Sequence, residues 1–378
     1  MLGNSCEVVW SEVQELDSDG WNHAMLARGV KGSWFQATHY NEDKRNFSFE
    51  DPFYLRQLSD GGQLLAQAII RLTHPYEWGF FRRNWTKLNP LAKKLFPILL
   101  CNQAPTVLKA PHTIEAYRSL GRWALEKGDE LGCLYVRLIP AYYQDSYIDN
   151  RVRIRSDLEE LGYTSSPKAT LIVDLQQDEE ILFSSLKKEA RNKVRKAKKQ
   201  GVQILEVSAD DEGLGQLHNV MAETSKRNGI PALKFEDLKK SSWFRHYADG
   251  FSRAFVSVHN GNLVSSQMAV VYNGAIILGG VSYTEYSRRQ GIYGNDLMQW
   301  HMIKWGHRQG LISLDYAGIE PYSSSPKMRA IYDFKTKWGG IQVDYDEFVF
   351  EFSNVKSLLF RSLIDKVGTQ LKKMIRFL

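Results

Sequence analysis

The stretch RAFVSVHNGNLVSSQMAVVYNGAIILGGVSY, residues 253–283, contains three runs rich in β-branched and aromatic side chains. Asn260-Gly261 and Asn273-Gly274 separate these runs. An Asn-Gly pair favours the two-residue turn of a β-hairpin, because both of its residues tolerate positive φ. The stretch therefore predicts three antiparallel strands in a meander.

Other regular elements flank this meander. Helical spacing of apolar residues precedes it at 214–229 and follows it at roughly 293–309. Strand patterns lie outside these helices, in ATLIVDL (169–175) and LISLDYAG (311–318). The order of strand, helix, meander, helix and strand predicts an α+β domain built on one central sheet.

The first half of the chain has a similar order of elements. Residues 53–72 contain two β-rich runs separated by Asp60-Gly61-Gly62, which predicts a hairpin. Residues 113–132 have helical spacing, and CLYVRLIP (133–140) alternates like a strand. The small residues of GYTSSPKA (162–169) predict a break and a domain boundary. At about 150 residues per domain, two domains are expected.

Composition and motifs narrow the class of protein. Cys6, Cys101 and Cys133 are far apart in the sequence, so neither a disulfide framework nor a zinc site is expected. No leader or membrane-spanning pattern is visible, which predicts a reducing, cytoplasmic setting. The sequence has no phosphate-binding Walker loop, HExxH or G-x-S-x-G motif, so we expect neither a metal nor a cofactor.

The excess positive charge lies in SSLKKEARNKVRKAKKQG, residues 184–201. This segment carries eight basic side chains and one acid, for a net +7, whereas the whole chain is +6. Apolar residues fall on one narrow stripe, which predicts a docked helix with cationic outer faces. A polyanion, either RNA or a membrane surface, is the expected partner, and a solvated charged face is the alternative. Without interleaved aromatics, the segment suits phosphate contacts better than base stacking.

A second motif follows the meander in SRRQGIYGNDLMQW, residues 287–300. It resembles the acyl-coenzyme A loop of GNAT acetyltransferases, Q/R-x-x-G-x-G/A, whose amides bind a pyrophosphate at a helix N-terminus. Here the motif is Arg288-x-x-Gly291-x-Tyr293, with Tyr in place of Gly or Ala. The topology thus resembles GNAT, while the tyrosine side chain is expected to obstruct acyl-coenzyme A.

Three further stretches together resemble the Fem aminoacyltransferases, which build peptidoglycan cross-bridges. ARNKVRKAKKQGV (190–202) is similar to the family's basic segment, and FQATHYNEDK (35–44) is similar to its N-terminal Q-S-x-x-W-x-x-x-K pattern. Residues 310–340, which contain Leu-Asp-Tyr-Ala-Gly and Phe-Lys-Thr-Lys-Trp-Gly-Gly, resemble its Y-D-x-G-G and F-K-x-x-F-G-G motifs. The resemblance spans about 300 residues.

The resemblance implies two tandem GNAT-like domains, each a mixed, mostly antiparallel sheet flanked by helices. The expected first domain is 1–167, completed by 341–378, and the second is 168–340. It also implies transfer of an amino acid from aminoacyl-tRNA to an amine of a peptidoglycan precursor, without acetyl-coenzyme A. A GNAT-type acyltransferase that uses acyl-coenzyme A on a sugar or small amine is one alternative. A non-catalytic RNA- or membrane-binding protein is another.

The same resemblance assigns roles to residues. It implies that Lys335, in the Phe334-Lys335 motif, polarises the reacting ester, and that Lys44 and Arg227 hold the precursor's diphosphate. Asp315, Glu320 and Asp333 are candidates for proton removal, as is a ribose hydroxyl of the tRNA, so no protein base is assigned. The expected tRNA contacts come from the basic segment: Arg191, Lys193, Arg195, Lys196, Lys198 and Lys199.

Departures from the family pattern leave the acceptor open. Ile139 stands where the family often has Asp, and Arg227-Asn228-Gly229-Ile230 replaces its R-D-G-F-like element. The tail, 355–378, alternates apolar and basic residues in a helical pattern. It predicts either peripheral contact with an anionic membrane at the inner face or packing against the first domain. A monomer is expected.

Overall fold

The structure is a computed structural model that describes residues 9–26, 33–48, 50–75, 89–229, 232–360 and 362. The chain divides into two compact units. One combines Met1–Pro167 with Tyr345–Leu378, and the other is Lys168–Asp344.

Strands and helices alternate along both units. The strands of the described residues are β1 (Trp10–Glu12), β2 (Asp51–Leu58), β3 (Leu64–Thr73), β4 (Ile98–Asn102), β5 (Thr106–Val107), β6 (Tyr135–Ile139), β7 (Thr164–Asp174), β8 (Gln203–Glu206), β9 (Ser252–His259), β10 (Asn262–Tyr272), β11 (Ala275–Tyr283), β12 (Ser313–Asp315) and β13 (Ile341–Glu351). The helices are α1 (Ser18–Leu26), α2 (Thr38–Ser48), α3 (Asn89–Leu95), α4 (Thr113–Glu130), α5 (Asp145–Glu160), α6 (Glu179–Ser185), α7 (Lys188–Lys199), α8 (Asp211–Arg227), α9 (Phe235–Lys239), α10 (Ser242–Arg245), α11 (Glu285–Gln290), α12 (Gly294–Arg308) and α13 (Pro326–Thr336). Two 3-10 turns lie at Trp34–Gln36 and Ala110–His112.

The first unit contains the strand order β1-β2-β3-β4-β6-β13, with β5 added to β3. All of these neighbours are antiparallel except β4 and β6. The hairpin predicted at Asp60-Gly61-Gly62 is confirmed, since β2 and β3 pair along their length and Gly62 has φ +75°. The helix predicted over 113–132 is α4.

The second unit contains the strand order β7-β12-β11-β10-β9-β8, in which only β11 and β12 are parallel. The predicted meander is confirmed as β9, β10 and β11. Asn260 and Asn273 have φ of +48° and +46°, and the glycine after each has φ +74°. Positive φ at both central residues is the geometry that the Asn-Gly pairs predicted.

The basic segment differs from the single docked helix that its apolar stripe predicted. It forms two helices, because α6 ends at Ser185 and Leu186 is extended, with ψ 144°. The segment resumes as α7, whose residues Ala190, Val194 and Ala197 are fully buried. The predicted stripe is therefore buried across a break in the helix, since Leu186 is also buried.

Two other predictions meet the structure only in part. Most of the predicted small-residue break at 162–169 lies in β7, which begins at Thr164. Most of the predicted tail helix lies outside the described residues, as does Cys6. Cys101 and Cys133 are buried free thiols.

Candidate functional site

β11 and β12 separate part of the way along the second unit's sheet. Their parallel pairing ends at Ile277 and Asp315, although β11 continues to Tyr283. β11 also bulges at Gly279 and Gly280, where its register with β10 shifts. Bulges of this kind interrupt pairing and are frequent beside active sites. The end of β12 is therefore a place where a ligand could reach backbone groups within the sheet.

The Lys335 ammonium contacts the residues that directly follow β12. Lys335 is near the end of α13, and its Nζ donates to the carbonyls of Ala317 and Gly318, each at 2.8 Å. An ammonium has three donors, so these bonds leave one for another acceptor. Burial lowers the pKa of Lys335, and the Asp315 carboxylate partly opposes that effect. The arrangement holds a partly desolvated cation in a fixed position.

Asp315 stabilises the turn that carries these two carbonyls. Its Oδ1 accepts a hydrogen bond from the Thr170 hydroxyl and another, at 2.7 Å, from the amide of Ala317. Ala317 has φ +54°, which is strained for a residue with a Cβ. The carboxylate thus stabilises the turn on which Lys335 depends. The other two candidate acids, Glu320 and Asp333, are exposed.

Residues near Lys335 connect the end of α13 to α12 and to the start of α7. The ring of Phe334 packs edge to face on Trp338, with centroids 6.0 Å apart. Lys337 is buried, and its Nζ donates to Asp296 Oδ1 at 2.7 Å in the first turn of α12. The carbonyl of Lys337 accepts the amide of Lys187, just before α7, at 3.0 Å. Sequence reasoning missed this pair, because a lysine next to the motif is ordinarily exposed.

The six predicted tRNA contacts lie together on α7. Among the described residues, none of the six forms an ion pair with a carboxylate. Arg191 differs from the others because its guanidinium donates to the carbonyls of Ser184 and Leu186, and so closes the end of α6. Arg195 lies 5.3 Å from the ring centroid of Phe183, and Lys196 lies 4.8 Å from that of Tyr293. α7 therefore presents positive charge that the described part of the protein does not neutralise.

The loop that resembles an acyl-coenzyme A site is occupied by the protein itself. The amide of Tyr293 donates to Gln200 Oε1 at 3.3 Å, and Gln200 Nε2 donates to the carbonyl of Gly291 at 3.1 Å. Gly294 lets the first turn of α12 pack closely on β10, since a Cβ there would lie 2.3 Å from Val264 Cγ1. Gln200, at the C-cap of α7, was missed because nothing in the sequence indicates that it reaches this loop.

The two predicted diphosphate ligands belong to different units. Arg227, in the second unit, donates to the carbonyl of Tyr283 at 3.0 Å and lies 3.8 Å from that ring's centroid. Lys44, in the first unit, lies 3.9 Å from a carboxylate oxygen of Glu50 and is partly exposed. Glu50 also pairs with the buried Arg71 at 2.7 Å.

Comparisons with known proteins agree with this architecture. A family model described as an acetyltransferase (GNAT) domain matches residues 184–335. The solved structure of FemX is 15% identical, covers 93% of this chain and 98% of its own, and has a TM-score of 0.69. L-PGS from Bacillus licheniformis is 14% identical with a TM-score of 0.52, covering 92% of this chain and 97% of its own. No curated protein matches the sequence.

A third solved structure is a tandem GNAT protein from the clavulanic acid biosynthesis pathway. It is 12% identical, covers 91% of this chain and 98% of its own, and has a TM-score of 0.52. In the described ranges, no helix is both long and apolar enough to cross a membrane. At these identities the likenesses establish the fold, and the predicted class of two tandem GNAT-like domains is confirmed.

Proposed function

We propose that this protein is an aminoacyltransferase. It moves an amino acid from aminoacyl-tRNA to an amine of a peptidoglycan precursor, UDP-MurNAc-pentapeptide or lipid II, or of a related peptide. The observation that carries the proposal is the Lys335 ammonium, which two carbonyls hold with one donor left over. The unpaired cations of α7, in the same unit, support RNA as the donor's carrier.

The reaction needs stabilisation of charge more than it needs a cofactor. The acceptor nitrogen attacks the ester carbonyl carbon, and the carbonyl oxygen becomes negative in the tetrahedral intermediate. The bond to the ribose oxygen then breaks, and that oxygen receives the proton that the amine loses. Lys335 would donate to the negative oxygen, a contribution worth roughly 3–4 kcal/mol for one such donor. The ester is already activated, so this step requires no further activation.

The remaining predicted residues would bind the substrates. Arg227 uses two of its five donors on Tyr283 and Thr224, so three remain for a phosphate. Lys44 is partly exposed and could reach an anion beside Glu50. We propose each of these two cations, within its own unit, as a contact for the precursor's phosphates, and we assign the tRNA phosphates to α7.

Transfer from acyl-coenzyme A is the second candidate, and the GNAT domain match favours it. Against it, the amide of Tyr293 already donates to Gln200, and the Tyr293 ring lies against the Lys196 ammonium. Titration calorimetry with coenzyme A and acetyl-coenzyme A distinguishes the candidates. We expect no binding at millimolar ligand, whereas micromolar affinity would favour the second candidate.

The proposed function is tested by supplying both substrates. The protein is incubated with a mixed pool of radiolabelled aminoacyl-tRNAs and with UDP-MurNAc-pentapeptide or lipid II, and products are identified by mass spectrometry. We expect a mass increase of one amino-acid residue that requires the charged tRNA and is lost in the Lys335→Met variant. Equal product with wild type and variant, or no product with any precursor or related peptide, would contradict the proposal.

A further inference from the structure

A groove of about 670 Å³ runs beside the basic helix α7 in the second unit. We call it the cationic groove. It lies between α6, α7 and α12, and the proposed function assigns tRNA phosphates to α7 without distinguishing the groove from the rest of the helix surface. Its lining residues are Glu179, Glu180, Phe183, Ser184, Arg191, Arg195, Lys198 and Trp300.

Three of the cations of α7 line the groove, whereas Lys188 and Lys199 adjoin them around the helix but are not part of the lining. Arg191, Arg195 and Lys198 are spaced i, i+4 and i+7, so they share the side that faces the groove. At 100° per residue, Lys188 and Lys199 lie opposite the buried face, and both are exposed. The helix therefore carries two adjoining sets of charges, one that lines the groove and one on its outer surface.

The charge of the groove suits a polyanion. Glu179 is neutralised by Lys304 at 3.4 Å and Arg308 at 3.2 Å, both on α12. The groove's lining contains three cations of α7 and two carboxylates, Glu179 and Glu180, and Glu179 is the one paired from α12, which leaves a net positive groove. A cationic groove that tracks a backbone is a common feature of proteins that bind single strands.

Aromatic side chains line the same groove, although the basic segment itself contains none. Phe183 is half-buried and packs edge to face on Trp300, with centroids 4.9 Å apart, and the Arg195 guanidinium lies over Phe183. Trp300 itself is buried, so Phe183 and Arg195 are the groups that a base could contact. Unpaired bases stack on aromatic rings and on guanidinium planes. The volume is that of a site for a small organic ligand, which is enough for roughly one or two nucleotides and too little for a duplex.

Residues adjacent in sequence to the groove's lining contact the turn that follows Lys335. Ser184 lines the groove. Gly339 lies so close to the next residue, Ser185, that a Cβ on Gly339 would be 2.6 Å from the Ser185 Oγ. The carbonyl of Lys337 also accepts the amide of Lys187 at 3.0 Å. A strand bound in the groove would therefore run beside the element that carries the proposed catalytic lysine.

We propose that the cationic groove binds the unpaired 3′ end of the RNA, while the outer surface of α7 contacts the paired stem. This inference rests on the proposed function and adds where the single strand lies. The basic segment itself contains no aromatic side chain, so in this proposal the ring that a base could stack on is Phe183 of α6.

Two hairpin RNAs test the proposal by fluorescence anisotropy, one blunt and one with four unpaired 3′ nucleotides. Full-length wild type should bind the overhang hairpin roughly tenfold more tightly, since stacking of one base contributes about 1–3 kcal/mol. The variant with both Arg195→Gln and Lys198→Gln should lose most of that preference. The matched variant with Lys188→Gln and Lys199→Gln should weaken both hairpins by a similar factor and keep the preference.

Arg191 is left unchanged because it holds the end of α6. A photo-cross-linking nucleotide in the overhang gives a measurement independent of the variants, and it should label residues 179–198. An unchanged preference in the Arg195/Lys198 variant, or cross-links only elsewhere, would overturn the groove assignment. Wild type that binds neither hairpin would contradict RNA as the donor's carrier, whereas equal binding of both with active transfer would reject only the groove.

Discussion

At Lys335, two backbone carbonyls replace part of the hydration that burial removes from the ammonium. Both bonds are 2.8 Å, and the cation remains partly accessible. A preorganised cation of this kind stabilises negative charge without reorganising during the reaction. Its contribution should therefore appear mainly in the transition state and only weakly in substrate affinity.

We expect Lys335→Met to lower turnover by on the order of 10²–10³, because the variant keeps the aliphatic stem and removes the oxyanion donor. Binding of tRNA should fall much less, since the contacts proposed for α7 are unaffected. Single-turnover kinetics with charged tRNA measures both quantities. Lys335→Arg should recover little, because a planar guanidinium cannot replace a compact ammonium between two carbonyls.

A pH profile gives the control for this prediction. Burial lowers the pKa of Lys335, so the residue loses its charge below the alkaline range usual for lysine. Turnover should fall as pH rises through that lowered pKa, and the Arg variant should lack this alkaline limb. A Met variant within a few-fold of wild type would show that the oxyanion site lies elsewhere.

The pair between Lys337 and Asp296 concerns stability. Both side chains are largely buried, at 6% and 12% exposure. Loss of one partner would leave a buried charge uncompensated, so Lys337→Met should lower the free energy of unfolding by about 3–5 kcal/mol. Adding Asp296→Leu should restore part of the loss. Urea unfolding of the two variants measures the difference.

An exposed pair provides the matched control. Lys239 lies 2.6 Å from Asp211, but the side chains are 42% and 67% exposed. Lys239→Met should therefore change the free energy of unfolding far less than Lys337→Met does. Equal effects at Lys239 and Lys337 would mean that burial does not decide the contribution of the buried pair.

The Phe-Lys motif marks Lys335 in the sequence, but its environment could not be predicted. The carbonyls that hold it are 17 and 18 residues away. Asp315 stabilises Ala317 at positive φ through the amide of that residue, and no local pattern encodes that contact. The catalytic role of Lys335 stays a prediction, whereas its geometry is a property of the folded unit.

At the scale of elements, turn residues predicted more than apolar spacing did. The Asn-Gly pairs fixed two hairpins correctly, because positive φ is a local requirement. Apolar spacing joined Phe183 to Ala197 in a single stripe, although α6 and α7 are separate helices. A stripe of apolar residues indicates which side chains are buried. It does not show where the backbone is extended, as it is at Leu186.

Gln200 links the end of α7 to the loop before α12 through two side-chain hydrogen bonds. Gln200→Ala should lower the free energy of unfolding by about 1–2 kcal/mol, since each bond contributes about 0.5–1.5 kcal/mol. Gln200→Glu should lose the bond to Gly291 and keep the one from Tyr293, with an intermediate effect. Thermal unfolding monitored by circular dichroism measures these changes.

Gln309 supplies the control, because it occupies the same C-cap position on α12 and is exposed. Gln309→Ala should leave stability within about 0.5 kcal/mol of wild type, as is usual for surface substitutions. A similar loss at Gln309 and Gln200 would show that the cap position, and not the link to the loop, accounts for the effect.

At the scale of the whole molecule, the two-unit GNAT-like fold was predictable because a family resemblance spanned about 300 residues. The two units differ in continuity, since Lys168–Asp344 is one segment and the other unit is closed by Tyr345–Leu378. The sequence also showed where the net charge lies. Residues 184–201 carry a net charge of +7, whereas the whole chain carries +6, so the net charge of the remaining residues is −1.

This distribution predicts that RNA affinity depends on where charge is removed and not on how much. Changing Arg195, Lys198 and Lys199 together to Gln should reduce the magnitude of the salt slope of tRNA binding by about 0.7–0.9 for each phosphate that the variant no longer neutralises. Folding should be unaffected, because all three side chains are exposed and lie off the buried stripe. Filter binding across a series of salt concentrations measures the slope.

The matched control removes the same charge from exposed lysines outside the basic segment, at Lys94, Lys234 and Lys240. Both triple variants have a net charge of +3, down from +6, so any effect of total charge is the same in the two. Only the α7 variant should change the slope, because counterion release follows the phosphates that the protein actually neutralises. Equal slopes in the two variants would mean that tRNA responds to the field of the whole protein and that α7 does not form its binding surface.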